Sequence, residues 1–411
     1  MADPIDIRQT IHLPPDDTVR TFAARDELRL TTKWSEMWHD DHARAFTVAK
    51  IAKLDLLDTI RNSLADVLAN GGTFEQWQKN IVPDLQRAGW WGRVQDRSLT
   101  GTDEAIHVGP RRLRNIFDAN LRVSRAGGKW ARIQELKDVA PYLAYSAVGD
   151  GRARPLHALW GGLAGPPRVI LHVDHAWWDT HFPPCDWGCR CDTIQLSARD
   201  LKRRGWAVTE GEPPSGPPSK FFRAGATKPE EVPAGIGPGW AYNPGKAGLL
   251  AIADKAVATL ERTAAHDTGM ARDALRDLVD SPVFLKALSE PGTSFPVMVL
   301  DAETAALIGS DARVAVHSAD TIAKQRRHHP ELPIERYRQL PDVGAGAEIV
   351  ARDGERVLVL VKGDDGKWLV SVLKRTQSGK GLFLTSLRVQ DGASLARLLR
   401  GKEIVRDGRA G

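Results

Sequence analysis

All three cysteines of this 411-residue chain fall within seven positions, at Cys185, Cys189 and Cys191. A disulfide needs Cα atoms about 4.4–6.8 Å apart with converging Cβ vectors, which two cysteines separated by one residue do not readily supply. Metal ligation or a reduced structural cluster is the chemistry this spacing favours. Upstream, Asp150-Gly-Arg152-Ala-Arg154-Pro-Leu-His157 ends in an imidazole, and His172, His175 and His181 lie between it and the cysteines. Zinc takes thiolate and imidazole, normally four in a tetrahedron. The expected donors are His157, Cys189 and Cys191, with Cys185 or His181 as the fourth. A catalytic zinc also requires an open coordination position and a basic carboxylate. Asp150 and Asp174 are available, but nothing in the spacing resembles a zinc-hydrolase helix, so the expectation is a structural zinc clip. The competing reading is that the cysteines are small core residues and the histidines belong to a solvated loop.

The elements that must position these residues divide the chain unevenly. Residues 34–90 read as helices, with apolar residues near 3.6-residue spacing from Phe46 to Val67, a stop at Gly71-Gly72, and a second run from Phe74 to Gly89. A basic helix is expected from about Arg111 to Lys137, provided it survives Gly127-Gly128. It would carry Arg111, Arg114, Arg122, Arg125, Lys129 and Arg132 on one face, suited to packaged DNA or an acidic neighbour if it is not simply solvated. Residues 211–245 turn to Pro and Gly and read as an extended linker, with Trp240 and Tyr242 able to pin it. Helices are expected over about 246–265 and 268–289, then a helix over 318–328 capped by Ser318. Strands over 356–362, 367–375 and 382–389 follow, joined by Gly-containing turns. The fold class is therefore α+β. A mainly helical region spans 1–209, a linker 210–247, a helical connector 248–292, and a small α+β domain with an antiparallel sheet 293–411.

With 42% hydrophobic residues the chain can build ordinary cores, and its cysteine count excludes a disulfide framework. No window approaches the roughly 18 apolar residues of a membrane helix, and the first residues lack a signal-like pattern. No membrane partner is expected. The net charge of +5 is concentrated at the end: residues 311–411 hold 19 Lys/Arg against 13 Asp/Glu. Such a balance attracts polyphosphate, or serves solubility alone.

Asp150-x-Arg152-x-Arg154-Pro-x-His157, Gly161-Gly162, Pro183-Pro184, Cys189-Arg-Cys191 and Leu196-Ser-Ala-Arg-Asp200 together resemble the phage Mu F-like minor head proteins, also called head morphogenesis proteins. His42-Ala-Arg44-Ala-Phe46, Gly89-Trp-Trp-Gly92 and Arg111-Arg112-Leu-Arg114 extend that resemblance over roughly residues 10–245. It implies a minor structural protein of a phage or prophage virion, assembled in the host bacterial cytoplasm and placed in the head interior or near the portal vertex. Portal and capsid proteins are the implied partners. Relatives often have Cys-x-x-Cys where this chain has Arg154-Pro-Leu-His157, consistent with imidazole replacing one thiolate.

The C-terminal hundred residues resemble phage-associated nuclease-like domains grouped with barnase, EndoU, colicin E5/D and RelE. The resemblance rests on His317-Ser318, Lys324, His329-Pro-Glu331, Tyr337-x-x-Leu340-Pro341 and Leu384-Thr385-Ser386-Leu-Arg388. It implies a metal-independent endoribonuclease, a toxin-like effector, that needs a base, an acid and groups to hold phosphate. His329 or His317 would be base or acid, Lys324, Arg388 and the Lys374-Arg375 pair would hold phosphate, and Thr385 or Ser386 would donate a hydrogen bond. The alternative is an inactive module that binds nucleic acid or protein, in which His329 merely ends a helix before Pro330.

Overall fold

The computed structural model describes residues 15–165, 167–280, 293–329, 332–333, 335–344, 346–363 and 365–410. The expected helix over 281–289 lies outside this range. The chain divides into two compact units, residues 1–251 and 252–411.

The first unit opens with α1 (Pro15–Ala23). The expected helical stretch from residue 34 contains a 3-10 turn at Trp34–Glu36 and a single helical turn at Asp41–Arg44, and its first long helix is α2 (Leu54–Asn70). Before it, Ala45–Phe46 pairs in parallel with Glu27–Leu28, so the apolar residues there are strand residues despite their helix-like spacing. Gly71 ends α2 as expected, and Thr73 caps α3 (Phe74–Arg87) through reciprocal bonds with Gln76. Leu57, Ile60 and Leu64 of α2 and Trp77, Ile81 and Leu85 of α3 form a core with Leu113, Phe117 and Leu121 of α4 (Pro110–Glu135).

The helix α4 does run through Gly127-Gly128, and the structure supplies the reason. A Cβ on Gly127 would lie 2.4 Å from Thr21 Cγ2, and one on Gly128 would lie 2.7 Å from Thr18 Oγ1. The glycines thus let α1 approach α4 closely. The basic stripe on α4 is less free than expected. Arg114 pairs with Glu75 at 2.8 Å, and Lys129 is bound to Asp192 and the Thr193 carbonyl.

A small antiparallel sheet follows, with β1 (Tyr142–Ser146) between β2 (Ile170–His172) and β3 (Asp192–Leu196). Two short helices, α5 (Pro155–Trp160) and α6 (Trp178–His181), flank β2 in sequence. The Pro/Gly-rich stretch is not a free linker. It contains a hairpin of β4 (Ser219–Phe221) and β5 (Glu230–Val232), and Val232, Ile236 and Trp240 join the core formed by Trp130, Tyr145 and Trp160. Glycine and proline leave little apolar side chain per residue, but three large residues at intervals suffice to bind the segment as a strap. Asn243 then caps α7 (Pro244–His266), its Oδ1 accepting from Gly245 N at 2.8 Å.

The second unit contains α8 (Thr268–Asp280) and a seven-stranded sheet. Its first strands are β6 (Ser294–Val299) and β7 (Val314–Ser318), separated by α9 (Ala302–Ile308). Ser318 caps α10 (Ala319–His328) as expected. Then come β8 (Ile349–Asp353), β9 (Arg356–Lys362), β10 (Trp368–Arg375) and β11 (Leu382–Gln390). The helix α11 (Gly392–Leu399) precedes β12 (Glu403–Asp407). The order is β6-β7-β11-β10-β9-β8-β12, with β7 and β11 parallel and the other neighbours antiparallel. The three expected strands are β9, β10 and β11; β6, β7, β8 and β12 are additional.

The close contact between α1 and α4 generates a test in which two effects oppose each other. Gly127→Ala gains about 1 kcal/mol of helix propensity, but its Cβ has no room beside Thr21. Overpacking costs about 1–3 kcal/mol, so the variant is expected to unfold at lower denaturant than the parent. Adding Thr21→Ala should recover most of the loss. A more stable single variant would show that the two helices are not in close contact.

Candidate metal centre

The cluster assembles from three separate stretches of the first unit. His157 lies on α5, whose start is favoured by Pro155 at the first helical position. Cys189 and Cys191 come from the turn leading into β3, and Tyr145 on β1 is paired with Thr193, two residues beyond Cys191. The sheet register therefore brings the Tyr145 ring beside the thiols.

His157 Nδ1 lies 3.4 Å from Cys191 Sγ and 3.8 Å from Cys189 Sγ. The ligand atoms of these three residues all lie within 4.8 Å of one another. A tetrahedral zinc with bonds of about 2.3 Å to sulfur and 2.0 Å to nitrogen separates nitrogen from sulfur by roughly 3.6 Å. The spacing fits that edge, and the three residues could hold a metal. On the other side of the ring, His157 Nε2 donates to the Gly235 carbonyl at 2.7 Å. That bond leaves Nδ1 as the lone-pair nitrogen, the form a metal requires.

Cys185 is also buried but stands outside the group of three. Its thiol donates to the His181 carbonyl at 3.4 Å and lies 3.8 Å from Tyr145 Oη. Burial pushes the Cys185 thiol well above its usual range. Cys189 is driven the other way, its thiolate stabilised by the neighbouring thiols of Cys185 and Cys191. His181, the other expected fourth donor, is engaged elsewhere. Its ring stacks on Trp177 at 4.4 Å, and its Nδ1 is bonded to Thr180 Oγ1 at 2.7 Å. Burial lowers its pKa to about 4.

Several contributors are invisible in the motif itself. Gly235 belongs to the strap, has φ +81°, and would place a Cβ 2.5 Å from Trp160. Only glycine suits that position. Gly237 donates from its backbone to the Cys185 carbonyl at 2.9 Å. Arg190, between the two cysteines, grips Asp150 through both terminal nitrogens at 2.6 and 2.9 Å. The Arg190 guanidinium holds the Asp150 carboxyl well below the usual carboxylate range. Asp174 is paired with Lys137 at 2.8 Å. Among the described residues, no carboxylate joins the three donors.

The expected catalytic residues of the second unit come from β7, from α10 and the residue after it, and from β11, and Gln325 beside Lys324 donates through Nε2 to the Leu387 carbonyl beside Arg388. His317 sits on β7 with 0% exposure, and neither ring nitrogen makes a hydrogen bond of ordinary geometry. It stacks on Tyr337 in the core, whereas an acid or base must come within hydrogen-bond reach of its substrate. Lys324, His329, Thr385 and Arg388 are exposed. Thr385 lines a groove of about 1080 Å³ with Ser318, Arg352, Lys374 and Arg375, but His329, Lys324 and Arg388 are not in its lining. His329 follows the last turn of α10, whose first turn supplies Thr321 to the groove. Thr385 Oγ1 donates to the Val372 carbonyl at 3.0 Å, and Arg388 Nε donates to Ser386 Oγ at 3.3 Å.

With this geometry in place, comparison with known proteins becomes informative. Residues 58–194 match the family described as Phage Mu protein F like protein, a segment that includes His157 and every cysteine. The chain is 36% identical over 256 residues to "Putative capsid assembly protein F" of Escherichia phage Mu, covering 59% of this chain and 57% of that protein. It is 36% identical over 186 residues to the Mu-like prophage FluMu F protein of Haemophilus influenzae, covering 45% of this chain and 42% of the relative. The Mu F-like family is thus supported by both kinds of comparison, while the match spans 57% of the length of one relative and 42% of the other. No solved structure matches. The family match ends at residue 194 and carries no information on the second unit.

The burial of His317 generates a pH test. Desolvation lowers its pKa to about 4, against about 6.5 when unfolded. Below pH 6.5 the unfolded chain takes up a proton that the folded chain refuses, so stability falls between pH 6.5 and 4. Roughly 3 kcal/mol is lost across that window. His317→Phe should be at least as stable as the parent at pH 7 and should lack this part of the acid slope, measured by urea unfolding. Identical slopes in the two proteins would refute the assignment.

Proposed function

We propose that this protein is a capsid assembly component of a Mu-like phage or prophage head, contacting other head components near the portal vertex. The observation that carries the reading is the family match over 58–194, which encloses the His157, Cys189 and Cys191 cluster. Both similar proteins bear names of the same kind, one of them a capsid assembly protein. The virion is the proposed location, reached after assembly in the host cytoplasm. Among the described residues, no helix is long and apolar enough to cross a membrane.

Within that role the cluster is a structural zinc clip. His157, Cys189 and Cys191 would hold the ion, and Cys185 is the fourth donor, since its thiol borders Cys189 and is already buried. A bound zinc would join α5 to the turn before β3 and so close the sheet end of the unit. The absence of a carboxylate among the donors favours this role over a hydrolytic one. Metal that binds only the folded site adds its binding free energy to stability.

The purified chain is expected to carry about one zinc, and Cys189→Ser or chelation should lower its unfolding temperature by more than about 5 °C. In a phage lacking its own copy, the parent gene should restore filled heads, and Cys189→Ser should restore fewer. Full zinc-free stability would overturn the clip. Normal heads without the protein would overturn the assembly role.

For the second unit, we favour the binding module over the nuclease. The groove lined by Arg352, Lys374 and Arg375 contains no histidine, and His317 is sealed in the core. The full chain should leave RNA and DNA intact while retaining them with an affinity that falls steeply with salt. Cleavage to 2′,3′-cyclic phosphate ends would restore the nuclease reading.

A further inference from the structure

Apart from the cluster, the first unit contains a cleft of about 320 Å³ whose wall is positively charged and lacks a counter-charge. Arg25 and Arg112 both line it, and no Asp or Glu does. Arg25 is 4% exposed. Its Nη2 donates to Asn120 Oδ1 at 2.7 Å, but its Nε and Nη1 are buried without a hydrogen-bond partner. The guanidinium instead rests against the rings of Phe22 and Phe46, 5.4 and 5.7 Å from their centroids. Arg112 donates through Nη2 to the Ala49 carbonyl, and its Nε is likewise buried and unpartnered. Neither arginine has an ion-pair partner among the described residues.

A buried cation is stable only when paired or hydrogen-bonded, and an uncompensated one is expensive. The titratable groups that act on Arg25 are Tyr242, kept neutral by burial, and Arg61, neither of them a carboxylate, and burial lowers the pKa of Arg25 to about 10. His42, also in the wall, is held neutral by burial. The rest of the wall combines apolar Ile116, Val123 and Trp240 with neutral polar Thr47, Asn115 and Asn120, and the large aromatics Trp34 and Trp187 in it remain 37% and 42% exposed. Trp and Arg around an unfilled cleft are the composition of a binding hot spot.

We propose that this cleft binds a carboxylate carried on an apolar or aromatic stem. The carboxylate would compensate Arg25 and Arg112, and the stem would cover the tryptophans. Carboxylate fits better than phosphate because its two oxygens match one planar guanidinium fork and it brings a single charge, whereas a phosphate brings nearly two charges and a third oxygen. The carboxylate has two natural sources: a side chain of a partner polypeptide, which rests on the assembly reading, or a small free acid, which does not.

The test uses the purified full chain and ligand-observed NMR with phenylacetate, its neutral analogue phenylacetamide, phenyl phosphate and the peptide acetyl-Phe-Asp-amide. Phenylacetate should bind at least about tenfold more tightly than phenylacetamide and more tightly than phenyl phosphate. Tighter binding of the peptide than of phenylacetate identifies a polypeptide as the source, and the reverse identifies a free acid. Arg112→Gln, which is half-buried and retains a folded core, should reduce phenylacetate binding to the level of the amide, as should Arg25→Gln if it folds. No phenylacetate binding up to about 10 mM, equal binding of acid and amide, or unaltered binding in Arg112→Gln would overturn the proposal. Because binding is read on the isolated chain, that result leaves the head-assembly reading untouched.

Discussion

The hydrogen bond from His157 Nε2 to the Gly235 carbonyl is the constraint on which the cluster depends. An imidazole has two nitrogens, and whichever one carries the proton cannot ligate a metal. By accepting from Nε2, Gly235 turns the Nδ1 lone pair towards Cys189 and Cys191. The carbonyl is available only because the strap lies flat against Trp160, and it lies flat only because Gly235 has no Cβ. A residue outside the Cys/His motif thus controls the chemistry inside it.

The strap also links the cluster to the rest of the first unit. Its Val232, Ile236 and Trp240 enter the same core as Tyr145, Trp160, Cys185 and Cys189. Gly237 meets the Cys185 carbonyl, and a side chain there would collide with Asp186. Asp186 in turn pairs with Arg154 at 2.7 Å, and Asp150 pairs with Arg190. The charged residues of the motif therefore tie the loop ends together, while the cysteines and His157 face inward. This division accounts for why Asp150 and Arg154 accompany the metal donors without joining them.

Charge is treated differently in other parts of the protein. Around the cluster every named arginine has an acidic partner, and the surface pays little for it because such pairs are partly solvated. In the aromatic cleft, Arg25 is buried with none. In the second unit, His317 avoids the problem by remaining neutral in the core. The same residue type that suggests acid–base chemistry in a sequence is, in this sheet, a ring packed on Tyr337.

Local sequence was sufficient for features governed by near neighbours. The Gly71 stop, the Ser318 cap, the strands β9 to β11, and the candidacy of His157, Cys189 and Cys191 all depend on residue type and short spacing. The cysteine grouping was legible because few other roles explain three such residues in so short a stretch. Tertiary structure decided whatever depends on a distant partner. It made residues 211–245 a packed strap, turned Gly127-Gly128 into a helix contact, engaged His181 with Trp177 and Thr180, and buried His317. Those outcomes rest on contacts between residues tens to hundreds of positions apart, such as His157 with Gly235 and Arg25 with Asn120. Composition and periodicity specify which residues can be buried or can ligate, but only the packed chain determines which atoms meet.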